Sequence, residues 1–282
     1  MTKSTKAMKR PDVARERKEP LRRGICALRK VSVAELEQIA RERIARGEAM
    51  RPIEPSVKLV AAQIRDRVQR DGFAVVRELV PTTLVDELRR QVYAAVARGG
   101  LEHRARGDAS AFHLAHVPAD LIKFNSRAFV ARLASGRPFR ALVDHALKAL
   151  RPVTGPAWPI QAEHGRWLRL GMPRGLNRRM PPHQDIFYLP GSEKFMTVWM
   201  PLHHCPRGLG GLRVVPRSHL HGAFFHDGKN GVPVRGARLT WKSFDLEVGD
   251  AIIFDRHLLH ASGINRSKNQ VRFSFDFRLA ML

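Results

Sequence analysis

The chain has 282 residues, 44% of them hydrophobic, which is enough for one large globular domain or two small ones. Its two cysteines, Cys26 and Cys205, are far apart and exclude a disulfide framework or a cysteine-rich zinc site, while no apolar run reaches the ~20 residues that a bilayer span needs. The formal net charge of +24 would draw polyanions, but the excess extends along the chain, arginine outnumbers lysine, and no aromatic residues interleave with it in a stacking pattern, so nucleic acid is a disfavoured partner.

Residues 1–30 are polar, basic and aperiodic, and predict a mobile arm ahead of a single domain over residues 31–282. The arm lacks the apolar region of a signal peptide, which points to a cytoplasmic protein with no membrane partner. Ser32 and Glu35 form a capping box, after which Leu36, Ile39, Ala40 and Ile44 share one helical face up to Gly47. The stretch "SVKLVAAQIRDRVQRDG" repeats that logic with Val57, Val60, Ala61, Ile64 and Val68, and Gly72 supplies its stop. "FAVVREL" reads as a strand, Thr83 with Asp86 opens a helix to about Arg98, and "RPFRALVDHALKAL" gives another. From about residue 157 short apolar runs alternate with Gly, Pro, Asn and Ser, which predicts a barrel or two-sheet roll.

The chemistry concentrates in "HQDIFYLP", residues 183–190. Read as a strand, it puts His183 and Asp185 on one face with their backbones ~7 Å apart, so an imidazole and a carboxylate could converge on one ion. The best third ligand is His260, where the apolar run of "GDAIIFDRHLLHASGIN" meets a glycine turn. Two histidines and a carboxylate on one face of an octahedron leave three positions open, the arrangement of non-heme Fe(II) sites that also take a cosubstrate and O₂. Arg272 opens the strand "RFSFDFR", where a guanidinium among apolar residues needs an anionic partner and suits the distal carboxylate of 2-oxoglutarate. His203, His204, His219, His221 and His257 take the structural or surface reading, and His257 has the opposite strand parity from His260.

In order along the chain, "DGFAVVREL", "HQDIFYLP", "WMPLHHCPRGLGGLRVVPRSHLHG" and "GDAIIFDRHLLHASGINRS" followed by "VRFSF" resemble the phytanoyl-CoA hydroxylase-like Fe(II)/2-oxoglutarate dioxygenases over roughly residues 57–280. The resemblance implies a mainly β architecture, a double-stranded β-helix of the jelly-roll or cupin-like kind with helices packed outside. It further implies iron held by His183, Asp185 and His260, and 2-oxoglutarate anchored by Arg272 with Ser262 assisting, Trp199 flanking and Leu168 lining the cosubstrate site. The His-to-Arg interval is one residue longer than in the relatives, and a further basic contact to the cosubstrate has His113, His116 and Lys123 as candidates. Hydroxylation of a small metabolite or natural-product intermediate is the expected outcome, with desaturation, epimerisation and ring formation open to the same iron set. Asp185 argues against a halogenase, in which a small residue replaces the carboxylate.

Two other functions compete. An AlkB-type nucleic-acid demethylase shares the H-x-D, the histidine and a spaced arginine pair, here Arg272 and Arg278, but "FSFDF" between them is less polar than that family prefers. A cupin-like binding protein would leave Arg272 without purpose. For the substrate, "MPRGLNRRM" carries Arg174, Arg178 and Arg179 ahead of the metal segment; they could hold an anionic group or form a solvated basic loop.

Overall fold

The computed structural model describes residues 60–98, 111–114, 133, 136–159, 166–175, 180–188, 194–226, 231–232, 234 and 239–281. The predicted arm, the helix from Ser32 to Gly47, and His116, Lys123, Arg178 and Arg179 lie outside these residues. Helix α1 spans Ala61–Asp71, burying Ile64 and Val68, and stops where Gly72 turns left-handed at φ 86° and donates its N–H to Val68. Val60 precedes the helix and is 63% exposed, so it does not join the apolar stripe. Strand β1, Phe73–Val76, is shorter than "FAVVREL" because Glu78 adopts φ 51° while its N–H donates to Asp250 Oδ1. Helix α2, Thr82–Arg98, buries Val85, Leu88, Val92 and Val96, and helix α3, Arg137–Thr154, buries Phe139, Leu142, Val143, Ala146, Leu150 and Val153.

The remaining strands are β2 (Phe112–His113), β3 (Ala157–Pro159), β4 (Arg166–Gly171), β5 (Lys194–Pro201), β6 (Leu212–Val214), β7 (Lys242–Ser243), β8 (Ala251–Asp255), β9 (His260–Ser262) and β10 (Gln270–Met281). They form two antiparallel sheets: a seven-stranded one in the order β1-β8-β5-β10-β2, with β3 and β4 also paired to β10, and a three-stranded one in the order β7-β6-β9. The fold is therefore mostly β with outer helices, the double-stranded β-helix that the sequence predicts.

Strand β10 organises both cores, because alternate side chains point to opposite faces. Val271, Phe273, Phe275, Phe277 and Leu279 pack with the buried faces of α1, α2 and α3. The opposite face carries Arg272, Ser274, Asp276 and Arg278, all buried. On that inner side Trp199, Ile252 and Phe254 join Leu212, Val214 and Leu258 in a second apolar cluster between the sheets. Arg272 and Trp199, two of the cosubstrate candidates, sit on this inner side.

Phe273 is fully buried, with ring centroids 5.3 Å from Phe112 and 5.0 Å from Tyr93. Phe273→Ala is expected to cost about 3–5 kcal/mol in urea denaturation. Truncating the exposed Leu220 should change stability by less than about 0.5 kcal/mol.

Candidate functional site

His183 and Asp185 do not lie on a regular strand. Only His183 pairs, through a single bridge with His260 in which each N–H donates to the other's carbonyl, at 2.9 and 3.0 Å. Two prolines precede the segment, and Asp185 begins a 3₁₀ turn over Asp185–Phe187, so a ladder forms neither before nor after the bridge. The sharing of a face survives because Gln184 is extended, at φ −120° and ψ 137°. Its buried amide turns the other way, donating to the carbonyls of Gly222 and His257 and accepting from the Phe224 N–H at 2.7 Å. His260 opens β9 after the chain leaves β8 and changes sheets. The turn between the two strands removes the parity argument for His257, whose side chain lies against Asp255.

The three side chains converge. Their ligand atoms all lie within 4.8 Å of one another, and all three residues are buried. His183 Nδ1 is engaged by the Pro181 carbonyl at 2.7 Å and His260 Nδ1 by the Leu258 carbonyl at 2.9 Å, which leaves both Nε2 atoms facing Asp185. Those nitrogens stand 3.7 and 3.6 Å from Asp185 Oδ1, and that oxygen has no hydrogen-bond partner among the described residues. Oδ2 is saturated instead: Thr197 donates at 2.6 Å, and Arg278 at 2.8 and 3.1 Å.

Burial opposes ionisation of Asp185, but Arg278, the imidazoles and Thr197 outweigh it and hold the carboxyl well below its usual range. Burial pushes both histidines down as well. For His183 the second imidazole adds to that effect, while Asp185 and the Pro181 carbonyl oppose it. For His260 the opposing charge is Asp185. Two neutral imidazoles, one carboxylate and one orphaned buried oxygen aimed between them fit a first-row divalent ion with open positions.

Arg272 is 4% exposed, on β10 opposite Gly171 of β4. It donates to the Ser274 hydroxyl and lies 6.0 Å from the Trp199 ring centroid, and its Nε has no hydrogen-bond partner among the described residues. Burial lowers its pKa, and no carboxylate among the described residues pairs with it. A Cβ on Gly171 would come within 2.8 Å of that Nε, so only glycine leaves the guanidinium its place. Asn265 fixes this corner by donating to the carbonyls of Gly171 and Gln270 at 2.8 and 2.7 Å. The buried, incompletely satisfied guanidinium fits an anionic ligand.

The other predicted residues divide. Trp199 is on the inner face, registered with Asp276. Ser262 is two residues past His260 on β9 and half-buried, though the hydroxyl on Arg272 is that of Ser274. Leu168 is registered with Phe275 and belongs to the helix-side core, on the opposite face of the sheet from Arg272. His113 is registered with Gln270 and meets Asn269 Oδ1 at 3.4 Å. His203 accepts the Phe273 N–H at 2.9 Å and His219 engages the Gln69 carbonyl at 2.9 Å, both structural roles.

Sequence reading missed Thr197, Ser274 and the part played by Arg278, and treated "RFSFDFR" as an apolar strand. Its signal was the alternation of Arg272, Ser274, Asp276 and Arg278 with three phenylalanines, which marks a strand buried on both faces with polar work on one. Beside the histidines, Tyr188 is 41% exposed, with its ring centroid 5.3 Å from that of His183 in an edge-on arrangement and its hydroxyl 3.3 Å from His226 Nε2. The Phe187 ring lies 4.8 Å from that of His226.

Because the folded-state pKa values of His183 and His260 fall below their ordinary 6.5, the unfolded chain binds more protons as pH drops through that value. Metal-free protein should therefore lose stability below about pH 6.5, and a His183→Gln, His260→Gln double variant should show a shallower decline in urea midpoints between pH 7.5 and 5.5.

Comparison with known proteins places this geometry in context. Two curated relatives, the 1-deoxypentalenic acid 11-beta-hydroxylases of Streptomyces exfoliatus and Streptomyces arenae, are 34% and 31% identical over 113 residues, which is 35% of this chain and 40% of each relative's length. Among solved structures, the non-heme alpha ketoglutarate dependent epimerase SnoN superimposes with a TM-score of 0.54 at 19% identity, covering 78% of this chain and 83% of its own. The carbocyclase SnoK gives 0.58 at 16% identity, over 80% of this chain and 87% of its own. These structures share the fold. The phytanoyl-CoA dioxygenase (PhyH) model matches residues 68–274, and the chain belongs to that family.

Proposed function

We propose that the protein is an Fe(II)- and 2-oxoglutarate-dependent oxygenase that hydroxylates an unactivated C–H bond of a small, natural-product-like metabolite. The observation that carries this reading is the orphaned Oδ1 of Asp185 facing two histidine Nε2 atoms inside the β-helix. His183, Asp185 and His260 would hold the iron, and Arg272 with Ser274 the distal carboxylate of 2-oxoglutarate, with Trp199 and Ser262 flanking it. When bound, iron and 2-oxoglutarate supply oxidation of the substrate by O₂, with the keto acid leaving as succinate and CO₂.

The chain's own residues provide the rest. Backbone carbonyls fix each imidazole with Nε2 toward the ion. The apolar cluster of Trp199, Leu212, Val214, Ile252 and Phe254 keeps water from the inner side of the sheets. Beside the histidines the exposed Tyr188 and half-buried Phe187 rings offer an apolar surface to a substrate. The two hydroxylase relatives carry an acid in their names, and the exposed Arg174 lies on the turn after β4, so an apolar acid is the favoured substrate class. The AlkB-type reading is not favoured: Arg278, the second of its spaced arginines, is committed to Asp185 and Asp276.

Anaerobic addition of Fe(II) and 2-oxoglutarate is expected to give a weak visible charge-transfer band that Asp185→Ala abolishes; a band retained in that variant would remove the ligand assignment. Arg272→Leu should weaken 2-oxoglutarate binding by about 10–100-fold, the worth of a charged hydrogen bond, while leaving Fe(II) binding near wild type. In a succinate-release screen, apolar carboxylic acids should outperform their methyl esters. Equal turnover of the esters would sink the acid preference.

A further inference from the structure

We propose that Arg278 is a positioning residue: with Thr197 it holds Oδ2 of Asp185 so that the carboxylate can meet a metal ion through Oδ1 alone. The inference rests on the ligand assignment proposed above and adds a constraint on how one ligand binds.

Arg278 and Thr197 are neighbours by construction. Antiparallel register puts them opposite each other on β10 and β5, on the inner face. Both reach the same oxygen, with Thr197 Oγ1 at 2.6 Å and the guanidinium Nη2 and Nε at 2.8 and 3.1 Å. An ionised carboxylate offers about four lone-pair sites over its two oxygens. Among the described residues every donor goes to one oxygen and none to the other.

The asymmetry has a consequence for coordination. A carboxylate free to turn could chelate an ion with both oxygens, and with two imidazoles it would fill four of about six positions. A keto acid that binds through two atoms and O₂ together need three. Keeping Oδ2 occupied preserves those three open positions. The guanidinium is itself clamped, because its Nη1 pairs with Asp276, which Arg169 holds from β4 at 3.2 Å. Burial opposes the charge on Arg278, but Asp185 and Asp276 outweigh it, so the donors stay charged and in place. A lysine would supply a point charge without the fixed fork.

The test uses full-length metal-free protein as wild type, Arg278→Lys and Thr197→Val, each titrated anaerobically with Fe(II), then with 2-oxoglutarate, alongside thermal melts. Arg278→Lys keeps the buried charge, and Thr197→Val keeps the volume, so folding is retained where Arg278→Leu could fail. Both variants should bind Fe(II) more weakly, by about 10–100-fold for Arg278→Lys and less for Thr197→Val. Their charge-transfer bands with 2-oxoglutarate should move from the wild-type position, a change that loss of stability alone would not produce. Wild-type affinity and an unshifted band in both variants would overturn this proposal and leave the ligand assignment standing. Failure of the wild type to bind Fe(II) at all would overturn the ligand assignment and this proposal with it.

Discussion

The reciprocal pair of backbone hydrogen bonds between His183 and His260 is the constraint on which the site depends. Residues far apart in the chain are joined there by main-chain groups that owe nothing to either imidazole, so the histidine rings are left free for other use. Each ring then gives one nitrogen to a nearby carbonyl and keeps the other. Single main-chain bonds flank that bridge, from Ser262 N–H to the Met180 carbonyl, from Val232 N–H to that of Pro182 and from Ile186 N–H to that of Arg256. Gln184 supplies the second anchor from the opposite face of the same segment.

Among the described residues, every charge on the inner face of β10 but one has a charged partner. Asp185, Arg278, Asp276 and Arg169 alternate in sign and share contacts, so each buried charge is compensated by its neighbours. Such chains of hydrogen-bonded charges stiffen one another and disfavour alternative arrangements. Arg272, on the same strand face, is the exception, with a hydroxyl and an aromatic ring where a carboxylate would be expected. An uncompensated buried cation is costly for the protein alone, and a dianionic cosubstrate would relieve that cost.

Much of this was legible in the sequence, and the reasons for the failures are physical. Helix periodicity found α1, α2 and α3, and evenly spaced apolar runs found the two-sheet roll, since both signals are local. Spacing and a family resemblance anticipated that His183, Asp185 and His260 come together, yet the strand assigned to the first two was wrong, because a proline pair and a 3₁₀ turn interrupt the ladder. Leu168, expected from the resemblance alone, faces the helix side, because a single step along a strand exchanges one face for the other. Thr197 and Arg278 escaped notice because their meaning lies in register between β5 and β10, and register is a property of pairing that no single segment reveals.

The chain changes sheets between β8 and β9, and this sets what anchors each side of the constellation. The two imidazoles belong to the three-stranded sheet through β9 and its bridge, whereas the carboxylate is moored by Thr197 and Arg278 to the seven-stranded one. An ion seated among them would therefore act as a rivet through both walls of the roll. Occupying the site would then tie the two sheets together at a point where, along the backbone, only the short β9 segment and its bridge bring the histidines into place.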